Sequence, residues 1–212
     1  MNDERISNMK RHLNHHLPSW PFVTATLVLF FLIVTGFVYF GTYDIAADSP
    51  HIRPVYVFLQ TLRDRSIAVR ARNIAVPADL ADSQRISTGA SLYSEMCSGC
   101  HLGPGVEKSE LSQGLYPQAP ELAKGSDLTP AEQFWIIKHG VKLSAMPAWG
   151  KTHNDTLIWD MVAFIDKLPT MSPQDYKAAV ASAPADHDEM MKDMPMMDKN
   201  VPTTNEEKTH GH

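Results

Sequence analysis

Residues 97–101 read CSGCH and contain the only two cysteines of the chain, Cys97 and Cys100, with His101 directly after the second. Two cysteines at this spacing can form a disulfide, contribute half of a zinc site, act as a thiol–disulfide redox pair or attach haem. Each of these chemistries requires a different set of further residues, so the rest of the sequence discriminates among them.

The zinc and redox alternatives lack the residues they need. A structural zinc site takes four nitrogen or sulfur ligands, usually from a second pair at short spacing. No second cysteine pair exists, and His139 and His153 are far apart and unpaired. A thioredoxin-like motif is expected beside a strand in an α/β pattern, whereas this motif ends a helical pattern. Haem attachment fits best, because both thiols can add to one porphyrin while His101 binds its iron.

Residues 81–170 have the pattern of a compact all-helical domain. A first helix is expected from about residue 82 to residue 100, ending in the CSGCH motif. A segment rich in glycine and proline follows at 102–125, and such a composition favours irregular structure. The motif is therefore predicted to lie at a junction between a helix and a long loop.

Three further helices begin at recognisable caps. Thr129 and Glu132 have the spacing of a capping box, and Thr152 with Asp155 has the same spacing at the start of the next helix. Residues 172–183 predict one more short helix. The sequence therefore predicts an all-α fold, with no strand in the domain.

The N-terminal part predicts a membrane span. Residues 1–20 are polar, whereas residues 21–43 contain no charged side chain. About 20 apolar residues cross a bilayer as a helix, and a cleaved signal peptide normally has a shorter apolar core of about 7–15 residues. An uncleaved anchor is therefore favoured over a signal peptide. Because Lys10 and Arg11 precede the span, the positive-inside rule places the N-terminus in the cytoplasm and the domain in the periplasm, as a single-pass inner-membrane protein.

Residues 44–80 form a connector with a predicted short amphipathic helix. Its apolar residues recur at helical spacing, at Val55, Phe58, Leu59 and Leu62. Four arginines follow them, at Arg63, Arg65, Arg70 and Arg72. We expect this helix to pack on the domain or to lie at the membrane surface, and a docking segment for a membrane partner is the alternative.

Residues 184–212 are polar and without periodicity, which predicts a disordered tail. The tail concentrates possible soft metal ligands at His187, Met190, Met191, Met194, Met196 and Met197. Thioether and imidazole groups suit copper, so weak copper binding is one hypothesis. A low-complexity segment without a metal is the other.

The overall charge argues against one class of partner. The chain has 212 residues and a net charge of −5, whereas nucleic-acid binding requires a basic surface. No nucleic-acid partner is therefore expected. The apolar span predicts the lipid bilayer as a partner, and the haem motif predicts redox proteins.

Residues 81–170, about 90 of the 212 residues, resemble a class I c-type cytochrome with a single haem. In that family a methionine in the loop before the last helix supplies the sixth iron ligand. The stretch MPAWG at 146–150 resembles this loop, so the resemblance implies that His101 and Met146 are the axial ligands. His139 is the rival sixth ligand, since imidazole also binds haem iron.

Two further segments carry the resemblance. The stretch APEL at 119–122 resembles the segment whose proline carbonyl accepts a hydrogen bond from the proximal histidine, which implies that Pro120 orients His101. Gly89 and Tyr93 resemble the small and aromatic pair where the first helix crosses the last. Trp159 or Phe164 is the expected partner of that pair.

His/Met ligation fills both axial positions of the iron, which favours electron transfer over substrate binding. The sequence thus predicts a membrane-tethered one-electron carrier, not itself an enzyme, between respiratory or dehydrogenase complexes. The alternatives are an electron-accepting subunit of an exported dehydrogenase, a haem enzyme or gas sensor in which Met146 dissociates, and a redox component of a copper-handling system.

Overall fold

The computed structural model describes residues 19–184. The chain divides into two compact units, Met1–Ser49 and Pro50–His212, and each is described by itself. The proposed copper ligands of the tail, from His187 to Met197, lie outside the described residues, as does the N-terminal segment 1–18.

The first unit contains helix α1, Trp20–Tyr39. Its 20 residues have a mean hydropathy of 2.3 and none of them is buried. At 1.5 Å per residue the helix is about 30 Å long, which matches the hydrocarbon thickness of a bilayer. The helix ends earlier than residue 43 because the chain turns at Gly41, which has a φ of +59°. The predicted N-terminal apolar helix is confirmed.

The second unit is helical throughout its described part, and residues 19–184 contain no β-strand. Its α-helices are α2 Arg53–Ala71, α3 Ser83–Met96, α4 Ser98–His101, α5 Glu110–Gln113, α6 Pro130–His139, α7 Asp155–Lys167 and α8 Pro173–Ser182. Short 3₁₀ turns lie at Leu122–Lys124, Trp149–Lys151 and Leu168–Thr170. The all-α expectation is confirmed.

Two helix boundaries differ from those the sequence predicts. The first helix does not run unbroken to residue 100, because the backbone leaves regular helix at Cys97, with a φ of −111°, and resumes as α4. The cap of α7 is Asn154 and not Thr152: the Asn154 side chain accepts a hydrogen bond of 3.0 Å from the backbone N–H of Leu157. Thr152 instead closes the preceding 3₁₀ turn. The capping box of Thr129 and Glu132 at α6 is confirmed.

The core of the second unit forms where α3 crosses α7. A Cβ on Gly89 would overlap the backbone carbonyl of Asp160 and approach the Cβ of Phe164 to 2.8 Å, so only glycine allows this crossing. Tyr93 packs on Phe164 with ring centroids 5.4 Å apart. Phe164 is therefore the aromatic partner, while Trp159 stacks on another helix.

Helix α2 packs against α6 through Ile67 and Ala71, which are buried. It is longer than the short helix expected, and its predicted apolar stripe is only partly covered, since Val55 is half-buried. Phe58 and Leu62 are 66% and 56% exposed, whereas Leu59 is half-buried. The buried residues of α2 therefore lie one to two turns C-terminal to the predicted apolar stripe.

Candidate haem site

Both thiols and the histidine of the CSGCH motif come from one helical turn. The backbone N–H of His101 donates to the carbonyl of Cys97 over 2.9 Å, which closes that turn. Cys97 is buried, Cys100 is half-buried, and neither is in a disulfide. One turn of helix therefore offers two free thiols and an imidazole on adjacent positions.

The orientation of His101 is fixed by a backbone carbonyl. Its Nδ1 lies 2.8 Å from the carbonyl oxygen of Pro120. A carbonyl can only accept, so Nδ1 carries the proton and Nε2 keeps a lone pair for a metal. Burial lowers the pKa of His101, and the bond to Pro120 opposes that shift only in part. The imidazole is therefore neutral and held in one orientation, with Nε2 available to bind a metal.

The thiol of Cys97 has the opposite character from a redox-active cysteine. Burial, together with the nearby Cys100, raises the pKa of Cys97 to about 12. Reactive dithiols have a lowered pKa, because the thiolate is the nucleophile. Residues 19–184 also contain no group of three or more His, Cys, Asp or Glu side chains placed to hold a metal ion. The redox-pair and zinc alternatives therefore lack structural support.

Aromatic side chains hold the segment after the motif. The Tyr93 hydroxyl donates to the carbonyl of Leu102 over 2.5 Å, at a residue with a φ of +60°. Tyr176 of α8 covers Gly103, where a Cβ would lie only 2.7 Å from the Tyr176 ring. Sequence reasoning missed the role of Tyr176, and its only signal is the small residue Gly103 that follows the motif.

The loop that contains Met146 is fixed at its start. Gly140 has a φ of +67°, and a Cβ there would lie 2.7 Å from the carbonyl oxygen of Met146. That carbonyl also accepts from the backbone N–H of Val141 over 3.1 Å. The Met146 N–H in turn donates to the Ser144 hydroxyl over 3.2 Å. The loop geometry therefore depends on this glycine and on these short-range bonds.

Met146 and the rival ligand His139 have different environments. Met146 is half-buried and packs against the hydrophobic core that includes Cys97. His139 is exposed, and its ring lies 5.0 Å from that of Trp135. The structure thus brings together His101, Pro120 and the two cysteines, packs Met146 on the same core, and leaves His139 at the surface.

These residues fit a covalently bound haem. Cys97 and Cys100 would hold the macrocycle, His101 would bind its iron through Nε2, and Met146 provides a thioether of the kind that binds haem iron. The site is assembled from α4, the loop that ends at Pro120 and the loop between α6 and α7. Together with the all-helical fold, this arrangement defines a c-type cytochrome domain.

Comparison with known families gives the same result. Residues 84–165, less than half of the chain, match the family model described as cytochrome C oxidase, cbb3-type, subunit III. This segment is a cytochrome c domain, a class that typically carries electrons and that implies covalent haem c. No curated protein and no solved structure matches the chain.

Proposed function

We propose that the chain is a membrane-tethered one-electron carrier with a single haem c, attached through Cys97 and Cys100 and bound axially by His101 and Met146. The observation that carries the proposal is the neutral, directed imidazole of His101 on the same helical turn as two free thiols. Burial and the raised pKa of Cys97 argue against dithiol chemistry at this motif.

The protein's own residues prepare the site for electron transfer without bond rearrangement. The bound haem supplies a one-electron redox centre, at a potential raised by a methionine ligand. The Pro120 carbonyl holds the His101 ring in one orientation. The bonds of Val141 and Ser144 to the backbone of Met146 fix the ligand loop. A rigid site of this kind would favour electron exchange over substrate binding, because His101 and Met146 would leave the iron no open position.

Helix α1 supports the location of the carrier. It is long and apolar enough to cross a bilayer, and c-type cytochromes are extracytoplasmic. We propose that α1 remains as an uncleaved anchor in the inner membrane, with the cytochrome domain in the periplasm. A tether raises the local concentration of the domain near membrane-bound complexes.

The match to an oxidase subunit family supports respiratory complexes as redox partners. Exposed cations near the Met146 loop provide a surface for such partners. Lys138 is engaged by Asp155 at 2.6 Å, whereas Lys142 and Lys151 are exposed and form no ion pair within residues 19–184. These two lysines would steer an acidic partner surface, with an effect that falls as salt rises.

The test is an optical spectrum of the reduced full-length protein with and without carbon monoxide. A carrier with both axial positions filled is expected to show no change, and Met146→Ala is expected to bind carbon monoxide. Met171→Ala is the matched control, because Met171 is half-buried like Met146 but follows α7 and lies outside the ligand loop. A wild-type protein that binds carbon monoxide readily would favour the sensor or haem-enzyme alternative instead.

A second candidate function is that of an obligate subunit, either of an oxidase or of an exported dehydrogenase whose catalytic site lies in another chain. The observation that favours it is the match to a family named as an oxidase subunit. Purification in mild detergent discriminates between the two. A free carrier elutes alone, whereas a subunit elutes with a stoichiometric partner chain.

The copper hypothesis for the tail rests on sequence alone, with five methionines at 190–197. Titration of a peptide covering 184–212 with Cu(I), in competition with a weak chelator, tests it. A tail with no metal role would leave the chelator saturated.

A further inference from the structure

Helix α2 has two opposite faces with different environments. Ile67 and Ala71 are 4% and 3% exposed and face α6. Phe58, Leu62 and Val69, which we call the outer strip, are 66%, 56% and 56% exposed. No part of residues 19–184 buries these three side chains.

The outer strip is continuous along the helix. At 100° per residue its three positions fall within about 40° of one another around the helix axis. The same geometry places Ile67 and Ala71 about 180° away from the centre of the strip. The strip therefore lies on the side of α2 opposite its contact with α6.

Two arginines lie beside this strip, Arg65 and Arg72, about 40° and 60° from its centre around the helix axis. Arg70 and Arg63 lie further round on the other side, about 100° and 120° from the centre. Arg63 pairs with Asp64 at 2.8 Å, and Arg70 donates to the Ser66 hydroxyl at 2.7 Å. Arg65 and Arg72 have no acidic partner in the described part of the chain. Residues 53–72 contain five arginines and one aspartate, in a chain whose net charge is −5.

We propose that α2 lies on the bilayer surface, with the outer strip at the boundary between headgroups and acyl chains and the flanking arginines on anionic lipid phosphates. An apolar ridge bordered by cations is the pattern of interfacial helices, and each cation near an anionic membrane strengthens the attraction. Helix α2 is positively charged although the whole chain is negatively charged, so the attraction to anionic lipid is confined to this helix.

The connection along the chain leaves a bilayer surface within reach of α2. Thirteen residues separate the end of α1 from the start of α2, and a chain of that length spans at most about 45 Å. This step rests on the proposed function, in which α1 crosses the membrane. Because α2 also packs on α6, its attachment would restrict how the cytochrome domain turns at the membrane.

The test uses the full-length holoprotein in lipid vesicles with a nitroxide label at an introduced cysteine, Leu62→Cys. Both native thiols are bound to haem in the holoprotein, so the label has one site. Gln60→Cys is the matched control, because Gln60 is exposed but lies on the opposite side of the helix from Leu62. Collisions of the label with oxygen and with a water-soluble nickel chelate report whether each position lies in lipid or in water.

In vesicles containing phosphatidylglycerol, we expect the label at Leu62 to gain oxygen contact and to lose nickel contact severalfold, while the label at Gln60 stays water-exposed. In phosphatidylcholine alone the change should be smaller. Replacing Arg65 and Arg72 by glutamine should weaken the attachment about fivefold for each arginine.

A Leu62 label that remains in contact with the nickel chelate in both kinds of vesicle would overturn the proposal. So would a label that is shielded only after a respiratory complex is added, since a protein would then be the occupant. Mass spectrometry of the same sample tests the proposed anchor separately. If α1 has been cleaved off, the protein lacks the mass of α1, whatever the label at Leu62 reports.

Discussion

The Nδ1 atom of His101 lies 2.8 Å from the carbonyl oxygen of Pro120, nineteen residues further along the chain. This bond joins the helical turn that carries the thiols to the far end of the irregular loop. It fixes the tautomer of the imidazole and increases the basicity of Nε2. The loop therefore influences the iron ligand His101 through the carbonyl oxygen of Pro120.

Weakening this bond should change the reduction potential. In Pro120→Gly the backbone gains freedom and the carbonyl is held less firmly, so the imidazole donates less charge and the oxidised iron is less stabilised. We expect the potential to rise by up to about 40 mV, which corresponds to a hydrogen bond worth about 1 kcal/mol. Potentiometric titration measures it. Pro130→Gly, the same change at the start of α6, should leave the potential unaltered, and a fall in potential for Pro120→Gly would contradict the assignment.

Gly89 should be the least replaceable glycine of the α3–α7 crossing. A Cβ in Gly89→Ala meets the backbone of Asp160, which cannot move aside as a flexible side chain would, so the helices must separate. We expect a loss of about 2 kcal/mol or more in the free energy of unfolding, measured with denaturant. Gly114→Ala, where the added Cβ meets no atom closer than 3.6 Å, is the control and should stay within about 0.5 kcal/mol of the wild type. Equal effects of the two substitutions would refute this packing.

Arg85 should stabilise the domain mainly through its buried partner. It bonds to Asp160 at 2.8 Å and to Asp79 at 3.0 Å, and the side chain of Asp160 is 8% exposed while that of Asp79 is 61% exposed. Arg85→Leu leaves a carboxylate buried without a partner, at a cost of about 2–4 kcal/mol. Asp79→Asn removes only an exposed pair, worth less than about 1 kcal/mol. Denaturant unfolding of both variants compares them, and a larger effect of Asp79→Asn would show that the buried pair is not the stabilising one.

The destabilisation by Arg85→Leu should depend on pH. Burial raises the pKa of Asp160, and Arg85 opposes that shift, so the variant raises this pKa further in the folded state. A carboxyl with a raised folded pKa contributes stability that is present below its unfolded pKa and lost as pH rises through the folded value. The difference in unfolding free energy between wild type and variant should therefore grow as pH increases from about 4 to neutrality. A difference independent of pH would mean that Asp160 titrates alike in both proteins.

The sequence specifies features that depend on local chemistry. The capping box of Thr129 and Glu132 could be predicted because its hydrogen bonds connect residues three apart. The site could be predicted because its cysteines and histidine are contiguous. Pro120 was accessible only through a family resemblance, since nothing local signals that its carbonyl meets His101.

Features that depend on tertiary packing could not be predicted in the same way. Thr152 and Asn154 are both good cap residues, and the 3₁₀ turn before α7 decides between them. The periodicity of α2 predicts a helix with an apolar face. It does not say that the residues against α6 would be Ile67 and Ala71 while Phe58 remains exposed.

The central claim, that Met146 and His101 bind one covalent haem, is tested most directly by NMR of the reduced holoprotein with ¹³C-labelled methionine methyl groups. A thioether held over the porphyrin is shifted by the ring current, so one methyl resonance should lie far upfield of the others. It should vanish in Met146→Leu and persist in Met96→Leu, because Met96 belongs to the end of α3 and not to the ligand loop. A spectrum without a shifted methyl, or one in which the shifted methyl survives in Met146→Leu, would contradict the account.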